Sequence, residues 1–253
     1  MVNIMDVSFL EKKINENFAL YGNIEKIIHV TWKNKEVINK NYNIIKNGIC
    51  QLKNLNPDYQ FIMYDDQDID KYLQEKLDKL DYDLIKNKKI VEKTDLWRLL
   101  KLYYEGGVYQ DIDRFCNIPL SNIIKPTTKC VLPMYLEADF SQDIMISCSK
   151  NEFHKRAIEL NLERRRHGHT DIYYLGPVTY FNAITEIILG VQLNREPGEE
   201  MISLLRTIIN NTPYLETYRE EPMYNTILYR GNEIYNDKDE LYKDEGVTHW
   251  IHS

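Results

Sequence analysis

The stretch from Asp95 to Phe115, DLWRLLKLYYEGGVYQDIDRF, constrains this chain more than any other. Leu96, Leu99, Leu100 and Tyr103 recur at the spacing of one helix face. Gly106 and Gly107 end that helix, because glycine enters the left-handed region without steric cost. Val108 and Tyr109 then read as a short strand, with Asp111-Ile112-Asp113 at its C-terminal end. In open α/β sheets ligands bind at that edge. An extended chain points Asp111 and Asp113 the same way and turns Ile112 toward the core. Two carboxylates so placed make a hard oxygen site for Mg2+ or Mn2+. Taken alone, a D-x-D is more often a solvated acidic turn; the context upstream changes the reading.

Strand and helix signals alternate ahead of this stretch. Residues 6–20 form an amphipathic helix through Val7, Leu10, Ile14 and Phe18, so residues 1–21 read as an N-terminal helical packing arm. Ile24–Val30 is a buried strand ending in Thr31-Trp32, and residues 36–55 are helical up to Asn56-Pro57-Asp58. Tyr59–Tyr64 is a second strand, and Asp66 can cap a helix that starts near Gln67. Strand, helix, strand, helix predicts a mostly parallel α/β sheet with crossover helices. Residues 76–89 are charged and weakly patterned, and the central helix runs over about 90–105. Farther on, strands are expected at 130–136 and 144–148, and helices at 151–166, 177–190 and 199–210. The run Arg164-Arg165-Arg166 fits a solvated helix end favoured by the macrodipole, with phosphate contact the less favoured use. The tail from Met223 carries short strand signals. No repeat or linker divides the chain, so residues 1–253 are expected to form a single domain.

A formal net charge of -7 argues against nucleic acid as a general partner, although a bound cation can offset a nucleotide's phosphates. The cysteines, Cys50, Cys116, Cys130 and Cys148, form no C-x-x-C pair, which disfavours zinc and suits a reducing, cytoplasmic setting. Neither a secretory signal nor a membrane span is expected.

Asp95 and Arg98, at i and i+3, share one face of the central helix, where they form either a surface ion pair or a holder of sugar and phosphate oxygens. The D-x-x-R followed by G-G-x-Y-x-D-x-D, together with IEKIIHVTWK (24–33), LGP (175–177) and the terminal THWIHS, resembles the D-x-D sugar-transferases of glycosyltransferase family 32. It is more distantly similar to the glucosyltransferase domains of large clostridial toxins. The matching stretches spread from residue 24 to residue 253.

The resemblance implies a GT-A fold with a Rossmann-like, mostly parallel sheet flanked by helices. It also implies a nucleotide-diphosphate sugar donor (UDP- or GDP-linked), a Mn2+ or Mg2+ ion, a hydroxyl acceptor such as a glycan, and transfer with retention. Carried over by position, Trp32, next to Thr31, lies on the nucleotide base, and Tyr109 packs beneath the nucleotide. Asp95 and Arg98 bind the donor sugar and its phosphate, Asp111 contacts ribose or sugar and assists the metal, and Asp113 ligates it. Gly176 of the LGP motif belongs to the donor site. At the C-terminus the family pattern continues to a further tryptophan, whereas this chain stops at Ser253. His249 is expected to add a metal or diphosphate contact, with His252 second, unless the terminus frays. Trp32 as a plain core aromatic and His29 as a hydrogen-bonded core histidine are the competing structural readings. No side chain stands out as a covalent nucleophile, which suits front-face attack by the acceptor hydroxyl. A non-catalytic nucleotide-sugar binder, and a phosphatase using Asp111 as nucleophile, are the alternatives.

Overall fold

The computed structural model describes residues 6–36, 43–134, 142–193, 198–221, 226–229 and 232–236. Its strands are β1 (Ile27–Thr31), β2 (Gln60–Tyr64), β3 (Gly107–Asp111), β4 (Phe115–Cys116), β5 (Cys130–Met134), β6 (Ile144–Ser147), β7 (Leu215–Glu221), β8 (Thr226–Tyr229) and β9 (Asn232–Asn236). They form one sheet in the order β2-β1-β3-β6-β5-β7-β8-β9-β4. β1 is parallel to both β2 and β3, and β5 is parallel to β7. β6 enters between β3 and β5 and runs antiparallel to each. From β2 to β7, therefore, β6 alone is reversed. This central stretch is the mostly parallel, helix-flanked sheet that the sequence predicts, and β8, β9 and β4 beyond it pair antiparallel.

Period-2 alternation sends the strand side chains into two separate cores. Ile28, Val30, Val108, Val131, Ile144 and Ile146 face one side, against Ile45, Ile49 and Leu52 of α2 (Asn43–Leu55). Tyr109, Cys130, Leu132 and Met145 face the other. There they meet α5 (Ile90–Glu105), α6 (Glu152–Arg166), α8 (Pro177–Leu189) and α9 (Glu199–Asn210). Smaller helices complete that layer: α3 (Asp66–Lys76), α4 (Lys79–Ile85) and α7 (Ile172–Leu175). The N-terminal arm, α1 (Val7–Ala19), docks on the same core through Leu10, Ile14 and Phe18. Among the described residues, no helix is long and apolar enough to cross a membrane.

α5 has the bounds its leucine spacing predicts and stops at Gly106, whose φ is 67°. Gly106 and Gly107 are both required. A Cβ on Gly106 would strike the Glu25 carboxylate, and one on Gly107 would stand 2.5 Å from the Ile27 carbonyl oxygen. The helix after β2 is capped by Asp65 and not by Asp66. The Asp65 side chain accepts from the backbone of Gln67 and Asp68, and Asp68 returns a bond to the Asp65 N–H. The helix expected over 36–55 is described from Asn43 onward. β7 was not anticipated: LETYREE has the polarity of a loop, and its strand character comes from parallel pairing with β5.

The run Arg164-Arg165-Arg166 departs from the solvated helix end. Arg164 and Arg165 are only 6% and 7% exposed, because α6 packs against α5 and α8. Arg165 donates to Glu92 at 2.8 Å, and Arg166 pairs with Asp81.

His29 is fully buried and serves the core. Its Nε2–H donates to the Gly106 carbonyl (2.9 Å), and its Nδ1 accepts from the Tyr64 hydroxyl (3.2 Å), as befits a neutral ring. Burial holds its pKa down at about 4. An unfolded chain takes up this proton near the ordinary value of 6.5, so stability is intact above about 6.5 and falls as the pH drops toward 4. The contribution is on the order of 3 kcal/mol. His29→Gln is expected to flatten the decline in Tm between pH 6.5 and 4.5. Parallel declines in the two proteins would exclude His29 as the source.

Candidate active site

The C-terminal ends of β1 and β3, with α3 and α5, enclose a cleft lined by Thr31, Trp32, Arg98, Tyr109, Asp111 and Asp113. At its centre is Arg98, 7% exposed and fixed on several sides. Nη2 pairs with Asp95 Oδ1 at 2.8 Å, Nη1 donates to the Gln142 carbonyl, and Nε donates to the Thr94 carbonyl at 3.4 Å. The guanidinium carbon lies 4.8 Å from the centre of the Tyr109 ring. Asp111 Oδ1 is 3.9 Å from Nη1 and accepts from the Tyr109 hydroxyl at 2.5 Å, and Thr31 Oγ1 is 3.3 Å from that hydroxyl. Asp95 and Arg98 are thus a buried pair and not a surface one.

The electrostatics follow from this packing. Burial pushes the Asp95 carboxyl up, while Arg98 and Arg165 pull it back. Burial opposes the charge on Arg98, but Tyr109, Asp95, Asp111 and Asp143 outweigh it and hold the guanidinium charged. Burial raises the Tyr109 phenol well above its usual range, so it stays a donor to Asp111.

The two aspartates do not lie on one extended strand. β3 ends at Asp111, and the chain turns through Ile112 and Asp113, closed by Arg114 N–H donating to the Asp111 carbonyl (3.1 Å). The turn still leaves both side chains on the cleft, with Asp113 6% exposed and Ile112 in the core. Gly176 lies beside the Asp95 carboxylate and the Gln142 amide. A Cβ there would stand 3.0 Å from Asp95 Oδ2 and 3.1 Å from Gln142 Oε1. Trp32 is half-buried at the cleft mouth, so it belongs to both the core and the cleft. His249 and His252 lie outside the described residues.

The donor set at the turn suits a hard divalent cation. Asp111 and Asp113 bring carboxylate oxygens to one cleft, and Mg2+-type ions use one or two carboxylates plus substrate phosphates. Among the described residues no group of three His, Cys, Asp or Glu side chains is arranged to hold a metal. A cation here therefore depends on oxygens from its ligand or from elsewhere in the chain.

Sequence reasoning missed Gln142 and Asp143. Asp143 anchors Arg114, whose Nε donates to Oδ2 at 2.5 Å, and its carbonyl accepts from the Asp111 N–H at 2.7 Å. The Gln142 amide is buried beside Gly176 and makes no hydrogen bond among the described residues. Their only sequence signal is position, immediately ahead of a strand.

The cleft thus lies at the C-terminal edge of a mostly parallel α/β sheet, where ligands of such sheets bind, and an arginine there suits phosphate or carboxylate oxygens. Residues 43–129 match the family of glycosyltransferase sugar-binding regions containing a DXD motif. It is similar to inositol phosphoceramide mannosyltransferase 3 of Schizosaccharomyces pombe, 29% identical over 119 residues that cover 43% of this chain and 30% of the relative. It is also similar to inositol phosphoceramide mannosyltransferase 1 of the same organism, 26% identical over 176 residues that cover 67% of this chain and 52% of the relative. The chain thus spans 30% to 52% of these relatives' length. Among solved structures it resembles the PaToxG glycosyltransferase at 17% identity and a TM-score of 0.49, over 82% of this chain and 95% of that one.

Proposed function

We propose that this protein transfers a hexose from a nucleotide-diphosphate sugar to a hydroxyl acceptor. The observation that carries this reading is the buried Asp95–Arg98 pair, with the half-buried Asp111 beside it, opening onto the same cleft as Asp113 and Trp32. Asp113 and Asp111 would hold Mn2+ or Mg2+. Such an ion supplies Lewis-acid stabilisation of the departing diphosphate without protonating it. Arg98 is already oriented by Asp95, Gln142 and Thr94, so it presents charge to the donor phosphate without reorganising. Asp95 accepts from sugar hydroxyls on its Gly176 side, and Trp32 stacks on the base. With Asp111 held by the Tyr109 hydroxyl and Arg98, the site suits front-face attack by the acceptor, with retention, better than a phosphatase using Asp111 as nucleophile. The names of the relatives favour mannose as the sugar and a lipid bearing a phosphoinositol headgroup, such as inositol phosphoceramide, as the acceptor.

Incubation with a panel of UDP- and GDP-sugars tests this. Release of nucleoside diphosphate is expected with Mn2+ and not with EDTA. No release and no thermal shift from any donor would overturn the proposal. Gly176→Ala gives a finer test, because the added methyl crowds Asp95 Oδ2 and Gln142. We expect the donor KM to rise roughly tenfold, since small misplacements of positioning groups are costly. Tm should fall as well, because the ψ of -99° lies outside the regions alanine favours, so KM is measured on the folded fraction. An unchanged KM would remove Gly176 from the donor site.

A further inference from the structure

A second and larger cavity, of about 410 Å3, opens between α6, α7 and α8 and shares no lining residue with the donor cleft. Arg156, Glu163, Arg164, His167, His169 and Tyr174 form most of its wall. Arg164 is the informative member. It is 6% exposed, and all its protein hydrogen bonds use Nη1, which donates to the Tyr174 carbonyl (3.0 Å) and Thr179 Oγ1 (2.7 Å). The guanidinium lies against the Tyr174 ring at 4.0 Å. Its Nε and Nη2 make no hydrogen bond among the described residues, and no carboxylate there forms an ion pair with it.

The neighbouring arginines differ. Arg156 pairs with Glu186 (2.7 Å) and Glu159 (3.5 Å), Arg165 with Glu92, and Arg166 with Asp81. Both oxygens of Glu186 are occupied, one by Arg156 Nε and the other by the Leu193 N–H, so that charge is already engaged. Glu163 is exposed. A buried guanidinium without a counter-ion is costly, and burial accordingly lowers the pKa of Arg164. Two free donors on one rigid fork match two oxygens of a phosphate. His167 and His169, both exposed at the mouth, add donors, and the exposed Glu163 can accept from hydroxyls.

We propose that this cavity is a second binding site, for a small sugar phosphate, with the phosphate monoester seated on Arg164. It is distinct from the donor site and does not depend on the transferase activity proposed above. Isothermal titration with glucose 6-phosphate, inorganic phosphate and glucose, in EDTA, tests it. Glucose 6-phosphate and phosphate are expected to bind saturably at one site per chain, and glucose is not. Arg164→Gln should abolish binding. Because that variant removes a buried contact and can fail to fold, the exposed pair His167→Glu/His169→Glu supplies an independent test. Two added negative charges at the mouth should weaken binding at least about tenfold. Asp113→Asn should bind as the parent does. The proposal is overturned if glucose 6-phosphate does not bind saturably, if glucose binds as tightly, if the histidine pair variant binds unchanged, or if Asp113→Asn loses binding.

Discussion

Asp113→Asn is expected to lower kcat/KM for donor hydrolysis by about a thousandfold, the scale of losing a group that stabilises transition-state charge. Its Tm should stay close to that of the parent. The side chain keeps its shape and still sits in the turn after β3, so packing around Ile112 and Arg114 is preserved. What changes is one negative charge and one hard oxygen ligand on the cleft. A purely structural Asp113 would give the opposite pattern, with a lowered Tm and unchanged turnover per folded molecule. Titration of Mn2+ in the presence of nucleoside diphosphate separates the two, because the variant should lose affinity for the ion. Asp111→Asn should cost less in metal affinity and more in geometry. Its Oδ1 is tied to the Tyr109 hydroxyl and faces Arg98, so it organises the cleft as well as lining it.

How far the sequence speaks for the structure depends on the range of the forces involved. α5 could be read to its last residue because leucine spacing and the two glycines are local signals, each enforced by nearby backbone. The D-x-x-R pairing was likewise local, since i and i+3 must share a face. The turn at Ile112–Asp113 was not legible. Alternation assumes an extended chain, and only the hydrogen bond from Arg114 to the Asp111 carbonyl reveals the bend. β7 and Arg165 failed for a different reason. LETYREE becomes a strand by lying beside β5, and Arg165 is buried by a glutamate 73 positions earlier in the chain. Gln142, whose carbonyl holds Arg98, carries no motif at all. Charged residues satisfied over long distances look like solvent-facing ones until the fold is known.

Arg98→Met should be the most damaging single change to both stability and activity. Methionine can fill the space over the Tyr109 ring, so the loss is mainly electrostatic. Asp95, 7% exposed, loses the guanidinium bonded to it at 2.8 Å, and the Gln142 and Thr94 carbonyls each lose a donor. Breaking one side of a buried pair costs about 3–5 kcal/mol. For a chain of this size that lowers Tm by roughly 10 °C. The deficit should shrink as pH falls. Burial already pushes the Asp95 carboxyl up, and without Arg98 to draw it down a proton becomes the cheaper partner. Arg98→Lys should recover part of the stability and little of the activity, since an ammonium cannot span Asp95, Gln142 and the donor phosphate at once. Adding Asp95→Asn to Arg98→Met removes the stranded charge, so the double variant should be more stable than Arg98→Met alone and equally inactive. Thermal melts across this cycle measure the coupling directly. Additive losses would mean that Asp95 and Arg98 act independently, and that the cleft is held together by something other than their pairing.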